Sequence, residues 1–77
     1  MNYDKHFLET CEKLGKRIKY LREKSGLTIK EVSEKTGIRV EYLKKIEQGT
    51  AYGVQLEKHL IKIANTLNVK LSEMLKF

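Results

Sequence analysis

Five glycines, at positions 15, 26, 37, 49 and 53, punctuate a chain of 77 residues that contains no proline. Between them the apolar residues recur at steps of three and four, the period of one stripe on an α-helix. In the first segment, Asp4 to Lys24, the stripe is Phe7, Cys11, Leu14, Ile18 and Leu21. Gly15 weakens the middle of that segment, so one long helix and an arm joined to a shorter helix near Leu14 are both open. Thr28 and Glu31 have capping-box spacing and start a second helix that ends near Thr36, with Val32 and Ser33 facing inward. A third helix is expected over Val40–Gln48 with Leu43 and Ile46 as its apolar edge. After a loop from Thr50 to Val54, a fourth spans Leu56–Leu67 with Leu60, Ile63, Ala64 and Leu67 inward. A last short helix over Ser72–Lys76 closes the domain with Leu71, Met74 and Leu75. The sum is an all-α bundle of five helices.

Composition excludes several functions. A single cysteine, Cys11, permits no internal disulfide framework, and with only His6 and His59 beside it no metal cage is expected. No apolar run approaches the roughly 18 residues of a membrane span, and the Met1 end lacks a signal-peptide core, so the expected setting is soluble and cytoplasmic. There is no glycine-rich phosphate loop and no nucleophile beside a base, so neither catalysis nor a cofactor is expected.

The charge is informative. The net charge is +6, and ten of the sixteen bases lie in residues 16–48, against five acids. Such a basic surface is either the footprint of a polyanion or merely a soluble lysine-rich helix face. The arrangement of the second and third helices favours the polyanion. Two short helices joined by a three- to four-residue turn containing glycine form a helix-turn-helix, whose second member can enter a DNA major groove.

The sequence also resembles a known family. Leu14-Gly15-Lys16-Arg17-Ile18 and Leu21-Arg22-Glu23-Lys24-Ser25-Gly26-Leu27-Thr28 resemble the opening of the Xre-type (Cro/C1 repressor) helix-turn-helix family. Val32-Ser33-Glu34-Lys35-Thr36-Gly37-Ile38 resembles its second helix and turn, and Tyr42-Leu43-Lys44-Lys45-Ile46-Glu47-Gln48-Gly49 its third helix. Ile63–Val69 and Leu71–Leu75 resemble its last two. The resemblance implies a lambda-repressor-like domain over residues 14–77, with 1–13 as an N-terminal extension of the first helix. It implies a sequence-specific regulator of transcription that binds double-stranded DNA as a homodimer. It also implies an Arg22–Glu47 ion pair tying the first helix to the third. Parts of the same string, Gly26–Val32, Ile38–Leu43 and Ile46–Gly49, are similar to the cytoplasmic domain of the cytoskeletal anchor RodZ. That likeness implies the alternative of a protein-interaction module, a RodZ-like adaptor or an antitoxin, with a partner protein.

A recognition helix reads bases with its first two turns. Here those carry Arg39, Val40, Glu41, Lys44 and Lys45. Arg39 and Lys44 or Lys45 can donate to guanine, Glu41 can accept from cytosine, and Val40 can pack on a thymine methyl. Thr28, Lys30, Thr50 and Tyr52 are the candidate phosphate contacts, with the backbone N–H groups at the start of the second helix. Lys16, Arg17 and Lys19 add long-range attraction. The competing reading makes Lys44 and Lys45 a solvated helix face and packs Tyr52 on the fourth helix. Phe7 and Cys11 extend the first stripe, and they are expected to cover the core rather than form a dimer seam.

Overall fold

The computed structural model describes residues 4–52 and 56–77. It contains α1 (Lys5–Lys24), α2 (Ile29–Thr36), α3 (Val40–Gln48), α4 (Leu56–Leu67) and α5 (Leu71–Met74), with no strand among the described residues. The expectations that involve Gly53 and Val54 fall outside those residues.

The first helix is continuous through Gly15. Its N-cap is Asp4, whose carboxylate accepts from the Phe7 N–H at 2.8 Å. The capping box of α2 is complete. Glu31 N–H donates to Thr28 Oγ1 at 3.1 Å, and Thr28 N–H donates back to Glu31 Oε1 at 2.9 Å. That exchange, through the Thr28 backbone N–H first, holds the Glu31 carboxyl below its ordinary range.

The turn from α2 to α3 is short because it is tied at both ends. Gly37 adopts φ +77°, a left-handed conformation that costs glycine nothing. Thr36 Oγ1 accepts from Ile38 N–H at 3.1 Å and donates to the Val32 carbonyl at 2.7 Å. Half-buried Ser33 donates to the Ile38 carbonyl, and the Ile38 side chain is buried in the core. The angle between α2 and α3 is therefore set by hydrogen bonds local to the motif.

One core joins the helices. Leu14, Ile18 and Leu21 of α1 meet Val32 of α2, Leu43 and Ile46 of α3, Ile63, Ala64 and Leu67 of α4 and Met74 of α5. α1 packs most extensively on α3, α2 lies against both α3 and α4, and α5 bridges α1 and α4. Leu60 is half-buried and packs against this cluster.

Three expectations need correction. The last helix starts at Leu71 and ends at Met74, not at Ser72 and Lys76. Met74 is completely buried, and the next residue turns about 100° around the helix axis, so Leu75 faces outward and is exposed. Phe7 is also exposed, although Cys11 one turn later is buried. The stripe has the right azimuth but outruns its cover: α3 ends beside Cys11 and Glu12, where Gly49 touches the α1 backbone. Phe7 instead meets the ring of Tyr52, centroid to centroid at 5.9 Å.

Candidate nucleic-acid interface

The exposed face of α3 follows from its apolar edge. Leu43 and Ile46 are buried, and Val40, Glu41, Lys44, Lys45 and Gln48 lie within about 140° of one another on the opposite side. Glu41, Lys44, Lys45 and Gln48 are exposed or half-exposed, and Val40 is half-buried. Arg39 is exposed in extended conformation at the N-cap, and its side chain makes no capping bond. The face therefore carries three cations and one carboxylate.

Two hollows divide these side chains. One, about 390 Å³, is lined by Lys19 and Arg22 of α1, Ile29 of α2, and Lys44, Glu47 and Gln48 of α3. The other, about 490 Å³, is lined by Arg39, Glu41, Tyr42 and Lys45. Lys44 thus belongs with Lys19 of α1, whereas Lys45 belongs with Arg39. Gln48, absent from the base-reading set expected from the sequence, lies one turn beyond Lys44 on the same face. The signal that finds it is i, i+4 spacing from Lys44, since an amide can both donate and accept at a base edge.

The candidate phosphate contacts are more scattered. Lys30 is exposed on the first turn of α2. Thr28 is exposed, but its hydroxyl and backbone N–H are both engaged in the capping box. The N–H groups of Thr28 and Glu31 are therefore already used, and the Glu31 carboxylate sits beside that helix start. Thr50 is exposed, and its hydroxyl donates to the Lys45 carbonyl at 3.3 Å. Tyr52 is half-buried beside Phe7 of α1.

Behind the face lies an anchor. Arg22 Nε donates to Glu47 Oε2 at 2.6 Å and Nη2 to Glu47 Oε1 at 3.1 Å, a bidentate pair. Nη1 donates to the Leu27 carbonyl at 2.9 Å. The two side chains are only 13% and 9% exposed. The hydrogen bond to Glu47 raises the Arg22 pKa further above its already high ordinary value, outweighing the opposing effect of burial. One guanidinium thus holds together α1, the chain entering α2, and the last turn of α3.

The geometry is that of a helix-turn-helix whose second helix is supported from behind and turns a cationic face outward, and comparison with known proteins agrees that the fold is a helix-turn-helix. The model of the helix-turn-helix family of the Cro/C1 type matches residues 18–74. The chain belongs to that family. Its fold is similar to the high-resolution crystal structure of the restriction-modification controller protein C.AhdI from Aeromonas hydrophila, with a TM-score of 0.75 and 23% identity. The match covers 83% of this chain and 94% of that one. No curated protein matches the chain. Membership of the Cro/C1 family supports a DNA-binding regulator of transcription of the Xre type. None of these findings carries the likeness to the RodZ domain. Among the described residues no helix is long and apolar enough to cross a membrane, and no cluster of His, Cys, Asp and Glu could hold a metal ion.

One titratable group supports α3 from below. The ring of His59 on α4 packs edge-on against Tyr42 at 4.8 Å, and its Nδ1 is buried with no hydrogen-bond partner among the described residues. Burial, and then the neighbouring charges of Lys62 and Lys58, push its pKa below 6.5. The folded state thus takes up a proton less readily than the unfolded one. Its contribution to stability is complete above about pH 6.5 and is lost as the pH falls through the lowered folded value. Thermal melts should show a midpoint that drops as the pH is lowered through and below about 6.5, and His59→Phe should flatten that drop.

Proposed function

We propose that this family member reads a specific DNA sequence by laying α3 in the major groove, and that it does so as a homodimer. The observation that carries the reading is the outward arc of Val40, Glu41, Lys44, Lys45 and Gln48, opposite the buried edge of α3 and braced by the Arg22–Glu47 pair. Arg39, Lys44 and Lys45 donate to guanine edges, Glu41 accepts from a cytosine amine, and Val40 and Gln48 meet the remaining base edges. Lys30 and Thr50 hold phosphates, and Lys19 adds charge beside Lys44. The Thr28 hydroxyl proton can still reach a phosphate, although its oxygen is occupied as an acceptor. Tyr52, turned toward Phe7, contacts a phosphate at most through its hydroxyl.

The homodimer is supported by a second surface. Ile61 on α4 and Leu75 after α5 are large apolar side chains left 45% exposed. Between α4 and α5 lies a cleft of about 570 Å³ bordered by Ile61, Val69 and Leu71. A two-fold dimer would present two copies of α3 to half-sites about one helical turn apart.

Selection of bound sequences from a random DNA pool at physiological salt tests both parts. Enrichment of an inverted repeat is the expected result. Salt-sensitive binding without enrichment would remove sequence reading and favour the protein-interaction alternative. Lys44→Ala with Lys45→Ala should weaken binding to the selected site by about 1–3 kcal/mol for each base edge that is no longer read. The effect on random DNA should be smaller, and equal weakening on both would assign the two lysines to phosphates alone.

A further inference from the structure

The outward face of α3 carries a carboxylate where a polyanion is expected to dock. Glu41 is exposed, one residue after the start of the helix. Lys45 follows it one turn on, about 40° around the axis, which is ordinary spacing for an ion pair. Yet neither ion pair among the described residues, Lys5–Glu9 or Arg22–Glu47, includes Glu41. Instead Glu41 shares the hollow of about 490 Å³ with Arg39, Tyr42 and Lys45. The hollow thus presents an acceptor-only group between two cations that donate and do not accept.

A bare carboxylate opposes the approach of DNA except where it meets a hydrogen-bond donor. In the major groove the base edges offer two kinds of donor, the cytosine N4 amine and the adenine N6 amine. Beside the adenine amine lies the N7 acceptor, which repels the second carboxylate oxygen. Beside the cytosine amine, across the base pair, lie guanine O6 and N7, which are acceptors for Arg39 and Lys45. We infer that Glu41 is the specificity gate of α3: with Arg39 and Lys45 it takes a single C·G pair in each half-site, cytosine on the carboxylate and guanine on the cations. The inference rests on the reading that α3 lies in the major groove. The gate acts chiefly by refusal. Thymine O4 or guanine O6 in the place of the amine sets acceptor against acceptor, so Glu41 lowers affinity for most sequences and leaves the correct one favoured. A purely structural role, as a negative charge near the N-terminus of α3, has the opposite sign: its removal would loosen the helix and weaken binding to every sequence alike.

The test is selection from a random DNA pool by the wild type, Glu41→Gln and Glu41→Asp. Anisotropy titrations follow, on the selected duplex, on duplexes with the one pair changed, and on random duplex, with thermal midpoints recorded for each protein. The wild type should prefer C·G to T·A at one position of each half-site by about tenfold or more. Glu41→Gln, whose amide both donates and accepts, should reduce that preference to about threefold or less and keep the rest of the motif. It should also bind random duplex about twofold more tightly or better, because one repulsive charge is gone. Glu41→Asp keeps the charge but shortens the reach, so it should lose affinity for the selected duplex without gaining any for random duplex. Equal weakening of selected and random DNA by Glu41→Gln, with a lowered thermal midpoint, would overturn the gate in favour of the helix-end role. A motif and preference that Glu41→Gln leaves intact would overturn the gate alone, whereas a wild type that enriches no motif would overturn the base reading and the gate with it.

Discussion

Gly15→Ala should destabilise the domain by about 3 kcal/mol or more, even though alanine is the better helix former by about 1 kcal/mol. A Cβ at this position would lie 2.5 Å from the carbonyl oxygens of both Ile46 and Glu47. Those atoms are backbone in the last turn of α3, and that turn is pinned. Gly49 just beyond it adopts φ +78°, and a Cβ there would meet Glu12 Cα at 2.7 Å. Neither helix can give way without parting α1 from α3, the largest interface of the core. Propensity and sterics therefore oppose each other, and sterics wins. In a domain this small the destabilisation lowers the thermal midpoint by about 12 °C or more, as circular dichroism would record. An unchanged or raised midpoint would mean that the two helices separate without cost.

The ion pair gives the second large effect. Glu47→Ala strands the Arg22 guanidinium in a site where the pair is nearly covered, and should cost about 3 kcal/mol. Arg22→Ala should cost at least as much, because it strands Glu47 and also removes the bond to the Leu27 carbonyl. Glu47→Gln keeps an acceptor in place and should cost less. The informative variant is the double one, Arg22→Met with Glu47→Leu. Replacing a covered pair by apolar side chains removes both desolvation penalties, so much of the stability should return. Recovery by the double variant, set against the destabilisation in either single one, shows that the penalty comes from an unpaired charge. Equal destabilisation in all three would show that the bidentate geometry itself supplies the stability.

The same pair shows how far a local reading reaches. Arg22 and Glu47 are separated by 25 positions, and the resemblance to the Cro/C1 family, not any periodicity, brings them together. The third bond of Arg22, to Leu27, follows only from the path of the chain into α2. The base-reading set is legible for a simpler reason. Once Leu43 and Ile46 are assigned to the core, the 100° step per residue places Glu41, Lys44 and Lys45 on the outer side of α3. The same arithmetic places Gln48 there. How these side chains divide between the Lys19 hollow and the Arg39 hollow depends on neighbouring helices.

By itself the sequence determined the helices, most of their ends and their inward stripes. Those features depend on interactions within four residues of one another: the capping box of Thr28 and Glu31, the left-handed Gly37, and apolar steps of three and four. Only the tertiary structure decided that Gly15 is a point of helix contact and that Phe7 and Leu75 lie beyond the core. It alone decided that Tyr52 turns to Phe7. The physical reason is that periodicity fixes the direction in which a side chain leaves its helix. How far the covering helix extends, and how closely two backbones approach, is set by packing between residues distant in the chain.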